Sequence, residues 1–307
     1  MIATYLEPKT HQKFVDEVAR RGLEEPIRAW ATLSPEERAE VTILFGWKIP
    51  QSVIDHCPRL RWIQGAGAGV DWLLPLTIPP TVTISRIVDQ FGPDMAEFAL
   101  LGALAWVKNW PRIHSAQRRH QWDPFLVGRL ADKVVGVLGA GSIGETIAVR
   151  FRPWVAEVRA LGRHRPRLPE IVGYSMTEQA AFFEGLDLLI MVLPLTPETY
   201  HGVGQEALSR MKAGGYVINL GRGAILDTQA LVSAVRSGQL SGALLDVHED
   251  EPLPPDSELW DLPGVTISPH ISGPSRVEGM AAVFVDNYRR FLAGEALRGV
   301  VDRVRGY

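Results

Sequence analysis

The sequence predicts an α/β fold with mostly parallel sheet, divided between two domains. Short apolar runs alternate with longer helical patterns and are punctuated by Gly or Pro, the rhythm of parallel strands covered by helices. At 307 residues the chain has about two domains' worth of length, and its 46% hydrophobic content is enough to bury two cores. One apolar run, 134–138, leads directly into Gly139-Ala140-Gly141-Ser142-Ile143-Gly144 and then a helical pattern over 145–151. That strand, turn and helix form a unit of the doubly wound kind.

Taken in order, the first third offers candidate strands at 2–6, 41–45, 60–64 and 82–84, joined by helical segments. An apolar-periodic helix follows over 94–110, then a polar, basic stretch over 112–122. The domain boundary is expected beside Leu101, within or next to that helix. Beyond it, runs at 134–138, 155–161, 188–193, 216–220, 242–245 and 265–267 suit a Rossmann-type doubly wound parallel sheet. The last helix, 276–293, and the tail to Tyr307 are expected to pack back on the first domain. The expected division is 1–101 with 285–307 as a smaller flavodoxin-like α/β domain, and 102–284 as the larger one. No fixed-period repeat is present, and 251–263 reads as an ordered Pro-rich loop carrying Trp260 and Leu262.

The charge balance, 32 basic against 35 acidic side chains for a net −3, leaves no electrostatic footprint for nucleic acid or an anionic membrane surface. The N-terminus lacks a basic leader, and no run approaches the roughly 18 apolar residues of a membrane span. A cytoplasmic protein is expected. The single cysteine, Cys57, cannot form an internal disulfide and sits before Pro58 in apolar surroundings, the setting of a buried structural thiol. The histidines outside the strand ends show no metal-ligand spacing, so no metal is expected.

Each glycine of the turn has a physical task. Gly139 permits the tight turn, Gly141 lets main chain approach a pyrophosphate, and Gly144 allows close packing of helix on strand. Ser142 and Ile143 open the helix whose free N–H groups and positive dipole receive phosphates. The site is therefore expected to hold a nicotinamide dinucleotide. The acidic residue that binds a ribose 2′-hydroxyl belongs about 20 residues on, at the end of the next strand. Gly162 stands there instead, followed by Arg163, His164 and Arg165. A carboxylate would repel a 2′-phosphate and arginine would bind it, so NADP(H) is preferred over NAD(H). A solvated basic loop is the alternative.

Ligands of open α/β sheets bind beyond the carboxyl ends of the strands. The residues there are Gly139, Gly162, Pro194, Gly221-Arg222, Asp246 and His270, with the acidic loop His248-Glu249-Asp250-Glu251 close behind. An arginine, a carboxylate and a histidine in such a crevice suit reversible reduction of a carbonyl. The arginine holds oxygens of the substrate, the histidine donates a proton as hydride arrives, and the carboxylate holds and charges the imidazole. Chemistry alone does not choose Glu251 over Glu249 and Asp250.

These motifs resemble the successive signatures of the D-isomer-specific 2-hydroxyacid dehydrogenases. They are the glycine turn, Leu193-Pro194-Leu195-Thr196-Pro197-Glu198-Thr199, Asn219-Leu220-Gly221-Arg222-Gly223-Ala224, Asp246 through Glu251-Pro252-Leu253-Pro254, Ser268-Pro269-His270, and Gly65-Ala66-Gly67-Ala68-Gly69-Val70-Asp71 in the first domain. Within that family, Gly162-Arg163 and the closing 301–307 look most like the bacterial A-type glyoxylate/hydroxypyruvate reductases. The resemblance implies catalytic roles for Arg222, Glu251 and His270, and substrate binding by Arg222 and by the Ala68 and Gly69 N–H groups. It implies cofactor contacts at Leu193, Pro194, Thr199 and Asp246. It further implies reduction of a small 2-oxoacid between two domains that close on binding, and a homodimer through the cofactor domains. Trp47, after the 41–45 strand, is a candidate to line the substrate pocket, although a core aromatic is equally expected there. Asp246 alternatively caps its loop, and Asp71 is expected to bond its own turn. His270-Ile271-Ser272-Gly273 departs from the usual residues after the family histidine, which bears on substrate preference. The competing readings are an NAD-dependent dehydrogenase of another substrate, such as phosphoglycerate, and a non-catalytic nicotinamide sensor.

Overall fold

The computed structural model describes residues Met1–Tyr307, and its contacts divide the chain into two units, Met1–Phe91 with Ser275–Tyr307, and Gly92–Pro274. Unit 1 carries five parallel strands: β1 (Ile2–Tyr5), β2 (Ile27–Ala29), β3 (Ile43–Gly46), β4 (Trp62–Gly65) and β5 (Thr83–Ser85). Their spatial order, β2-β1-β3-β4-β5, is the flavodoxin-like arrangement. Central β3 and β4 are buried along their whole length; β3 shows in sequence as an apolar run, whereas β4 buries the polar Gln64 beside Trp62 and Ile63. The edge strand β2, absent from the expected strands, has only three residues, one of them the exposed Arg28.

Helices Pro8–Arg20 and Val277–Ala293 together cover one face of this sheet. Phe14 stacks on Phe45 at 4.2 Å, and Phe284 meets Phe14, Phe45 and Trp62 at 5.4–5.5 Å. Each such pair contributes about 0.5–1.5 kcal/mol beyond its buried area. Beneath the rings runs a buried polar chain. The Trp62 indole N–H donates to Ser85 Oγ, which donates to Gln64 Oε1, and Asn287 donates to the same Gln64 oxygen at 2.9 Å. Asn287 also bonds the Arg298 main chain in both directions. These side chains are fully satisfied, so they fix the register of the C-terminal helix on the sheet instead of penalising burial. The tail then pairs beside β5 through Ser85 and Val300, and Arg303 donates to the carbonyls of Ile78, Pro79 and Val82. Cys57 is buried in a separate cluster with Leu44, Val53 and Ile63; its thiol donates to the Val53 carbonyl, and burial pushes its pKa up to about 11.

Unit 2 carries seven parallel strands: β6 (Val134–Leu138), β7 (Glu157–Gly162), β8 (Val172–Ser175), β9 (Leu188–Met191), β10 (Gly215–Asn219), β11 (Leu240–Leu245) and β12 (Val265–Ile267). The order β12-β11-β10-β9-β6-β7-β8 is the doubly wound Rossmann order with one strand added at an edge. The expected six runs omit β8, an edge strand whose Val172 faces solvent. The strand order reverses between β6 and β9, beside the glycine turn.

The contact units are bounded at positions other than 101 and 285. Residue 101 lies inside the continuous helix Gly92–Val107, where Leu101 is 62% exposed. Small residues seat that helix on unit 2. A Cβ at Gly92 would come within 2.7 Å of Thr146, and one at Gly102 within 2.5 Å of Leu244. Residue 285 likewise lies inside the helix Val277–Ala293, whose buried residues Met280, Ala281 and Phe284 already belong to unit 1. A hydrogen-bonded helix packs as one body, so the divisions fall at helix starts. The polar stretch read over 112–122 contains a helix, Trp110–Arg118, with Ala116 its single buried residue. No helix is long and apolar enough to cross a membrane.

Candidate active site

Parallel topology brings the carboxyl ends of β6, β7, β9, β10, β11 and β12 to one edge of unit 2. Gly139 has φ +111°, and a Cβ there would meet Leu193 main chain at 2.7 Å. A Cβ at Gly144 would overlap the Gly139 carbonyl at 1.9 Å, so only glycine lets the helix Ser142–Phe151 start so near the strand. At Gly141 a Cβ would meet nothing within 4 Å. Its open face lies at the head of a helix whose N-cap has no side-chain partner, and Ser142 and Ile143 follow directly.

Gly162 closes β7 against Ala140, and the exposed Arg163, His164 and Arg165 succeed it. Arg165 is paired with Glu178, whose carboxylate also accepts from the Ser175 N–H and hydroxyl. Those Ser175 bonds, with Arg165 adding to them, hold Glu178 below the usual carboxylate range. Leu193 is packed into the core and Pro194 is exposed. Thr199 clasps this loop, its hydroxyl donating to the Pro194 carbonyl and accepting from the Thr196 N–H, both at 2.8 Å.

Arg222 leaves β10 in a turn shaped by buried Asn219, which accepts from the Gly221 N–H and donates to the Arg222 carbonyl. The next residue, Gly223, lies so close to the His248 carbonyl that a Cβ would reach 2.1 Å from it. The Arg222 turn therefore packs directly on the loop that carries Glu251. Glu251 accepts from the His248 N–H at 3.1 Å and from His270 Nδ1–H at 2.9 Å. Because an ionised carboxylate only accepts, Nδ1 carries the proton and Nε2 is left without a hydrogen bond. His270 sits in the left-handed region, at φ +55°, and its loop is held by Asp246. That fully buried carboxylate accepts from Ser268 Oγ at 2.6 Å, Ile271 N–H at 2.9 Å and Ser272 N–H at 2.8 Å. Asp246 thus anchors the histidine loop. Of the neighbouring acids, Glu251 is bonded to His270, whereas Glu249 is engaged by His201 at 2.9 Å and by Thr228.

In unit 1 the loop after β4 is braced from two sides. A Cβ at Gly67 would lie 2.4 Å from the Trp47 ring, which tilts against Trp72 at 5.9 Å, so Trp47 packs flat on the loop main chain. The Gly67 carbonyl accepts from the Ile87 N–H and the Ala68 carbonyl from Arg86 Nη1. The Ala68 and Gly69 N–H groups, both partly exposed, have no acceptor within this unit. Asp71 does not stand free. No group of three His, Cys, Asp or Glu side chains is arranged to hold a metal ion.

The sequence model of the D-isomer specific 2-hydroxyacid dehydrogenase, NAD binding domain, matches residues 100–272. This chain belongs to that family. A D-isomer specific 2-hydroxyacid dehydrogenase of Xanthobacter autotrophicus Py2, solved with NADPH and MES, is 31% identical at a TM-score of 0.92, over 100% of this chain and 99% of that one. The probable 2-hydroxyacid dehydrogenase of Rhizobium etli CFN 42, solved with NADP, HEPES and L(+)-tartaric acid, is 30% identical, TM-score 0.89, over 100% and 98%. The NADPH-dependent glyoxylate/hydroxypyruvate reductase of Sinorhizobium meliloti, solved with NADP and sulfate, is 27% identical, TM-score 0.91, over 100% and 98%.

Unit 2 of this dehydrogenase is accordingly a nicotinamide-cofactor domain, and its residues fit that ligand. The space beyond Gly141 and the uncapped helix start are what a pyrophosphate requires. Two residues of the dehydrogenase were not assigned roles from sequence. Asn219 was passed over, although a buried amide at the last position of a strand signals a shaped turn. Arg86 follows an apolar run in the same way as the residues inspected in unit 2, and the strand-end rule would have found it.

Proposed function

We propose that this dehydrogenase is an NADPH-preferring reductase of small 2-oxoacids, glyoxylate and hydroxypyruvate first, giving the D-hydroxyacid where the product is chiral. The observation that carries the reading is His270, bonded through Nδ1 to Glu251 with Nε2 unbonded, so that the imidazolium can donate from Nε2. The nicotinamide, when bound, supplies hydride to C2 of the oxoacid. Arg222 receives the 2-oxo group, His270 Nε2 gives its proton to the developing alkoxide, and Glu251 holds the imidazole and its charge through that step. The Ala68 and Gly69 N–H groups receive the substrate carboxylate, and Trp47, packed on the same loop, limits the substituent at C3.

For the cofactor, Gly162 presents no carboxylate to a 2′-phosphate, and the Xanthobacter, Rhizobium and Sinorhizobium relatives were solved with NADPH or NADP. Arg163, His164 and Arg165 place basic side chains there, and Arg165 reaches such a phosphate by leaving Glu178. A homodimer through the cofactor unit is supported by an extended segment in which Trp122 and Leu126 are 96% and 97% exposed.

The test is the loss of reduced-nicotinamide absorbance with glyoxylate, hydroxypyruvate and pyruvate, each with NADPH and NADH. Faster turnover of the first two with NADPH is expected. Faster turnover with NADH, or activity confined to a phosphorylated oxoacid, would replace this reading with that of an NAD-dependent dehydrogenase.

A further inference from the structure

Arg86 stands at the carboxyl end of β5 with its guanidinium partly buried and no carboxylate within ion-pairing distance. The nearby acid, Asp89, is engaged by Arg298 at 2.5 Å. Burial draws the Arg86 pKa below the ordinary arginine range, with Asp89 acting more weakly in the other direction. A cation held in this way is stabilised by an anion that arrives from outside.

The one side-chain hydrogen bond that Arg86 makes points to where that anion would lie. Nη1 donates to the Ala68 carbonyl at 3.4 Å. That carbonyl belongs to the same peptide group as the Gly69 N–H, and a donor on the oxygen of an amide strengthens the amide N–H as a donor in turn. Nearby, the Trp72 indole N–H is buried without an acceptor. The loop therefore gathers donors that the protein does not satisfy, and the complement of donors alone is an acceptor-only group such as a carboxylate.

We infer that Arg86 sets the affinity of this site for the substrate carboxylate, as a positioning residue that acts through the Ala68–Gly69 peptide; the inference rests on the 2-oxoacid reading above. It predicts recognition of the carboxylate in the ground state, with the hydride and proton steps left to other residues. Arg86 therefore acts on KM and leaves kcat nearly alone.

The experiment compares wild type, Arg86→Met and Arg86→Lys in glyoxylate reduction with NADPH, and in calorimetric titration with oxamate, a non-reacting carboxylate. Arg86→Met should raise the glyoxylate KM and the oxamate Kd by about tenfold or more, the loss expected of a charge-assisted hydrogen bond. Its kcat should stay within about threefold and its NADPH Kd should not move, and Arg86→Lys should return both constants to within about threefold of wild type. Should Arg86→Met not fold, Arg86→Gln, which keeps a donor without the charge, makes the same comparison. An unchanged KM and Kd, a kcat that falls as far as KM rises, or a lysine variant no better than the neutral one overturns the proposal. A wild type that reduces no 2-oxoacid yet binds oxamate through Arg86 sinks the reductase reading and keeps this one; brisk glyoxylate turnover with KM indifferent to Arg86 does the reverse.

Discussion

Unit 2 contains two histidine–glutamate pairs with the same 2.9 Å separation, His270–Glu251 and His201–Glu249. Both histidines have left-handed backbone, at φ +55° and +50°, and their partners stand two residues apart on one loop. The pairs differ in what surrounds them. His201 bonds through Nε2, lies flat on Tyr200 at 4.1 Å, and shares Glu249 with the Thr228 hydroxyl. Its own N–H is tied to the Ala224 carbonyl, so the pair staples three strand-end loops together. His270 bonds through Nδ1, shares Glu251 only with a main-chain N–H, and turns an unbonded Nε2 outward from a loop fixed by buried Asp246. A carboxylate beside an imidazole is thus a common structural device. What distinguishes the catalytic candidate is a ring nitrogen left available on a rigid support.

The largest effect expected from this contrast is on turnover. His270→Asn should lower kcat by about 10²–10⁴, the contribution of a positioned general acid. His201→Asn should leave kcat within about threefold, because it breaks a staple and touches no reacting atom. Equal losses in steady-state assays would erase the distinction. Next come the partners: Glu251→Gln should cost about 10–100-fold in kcat by loosening the imidazole, whereas Glu249→Gln should show mainly in thermal stability. If Glu249→Gln were the more damaging to kcat, the assignment of the two acids would have to be exchanged.

A smaller effect comes from a carboxylate at the opposite end of the same strands. Burial works against the Asp187 charge, but Lys212 at 2.7 Å, the Val134 N–H and Lys133 prevail and hold its carboxyl below the usual range. A depressed folded pKa stabilises the protein above the unfolded pKa, near 4, and that contribution is lost as pH falls through the folded value. Asp187→Asn should therefore cost about 2 kcal/mol at neutral pH and progressively less in acid. Urea unfolding at pH 7 and near pH 3 measures it; a cost that stays constant would mean that the charge contributes nothing.

Much of this was legible in the sequence for a physical reason. Central strands of a parallel sheet are buried on both faces, so Ile43-Leu44-Phe45 and Leu188-Leu189-Ile190 appear as bare apolar runs. β2 and β8 lie at sheet edges, are short, and mix exposed with buried residues, which removes the signal. The helix Trp110–Arg118 buries one alanine and so shows no apolar stripe. In the site, Gly139 and Gly144 announced themselves because each removes a clash that any side chain would make, while Gly141 leaves open space. The three adjacent acids could not be ranked by composition, since the choice depends on His201 and Thr228 arriving from distant strands. Arg86 stands at a strand end, where the sequence does point, but its bond to a carbonyl 18 residues away appears only in the fold.

The return of the helix Val277–Ala293 to unit 1 also orders events in time. The aromatic face formed by Phe14, Phe45 and Trp62 is complete in the first 91 residues, but its cover, Phe284, lies beyond the whole of unit 2. At roughly 5–20 residues per second, the roughly 180 intervening residues occupy a ribosome for about 10–40 s. During that interval the emerging first unit must hold an uncovered aromatic surface while its neighbour is already able to fold. Newborn chains of this protein are therefore most exposed to aggregation, and to capture by chaperones, at their N-terminal end.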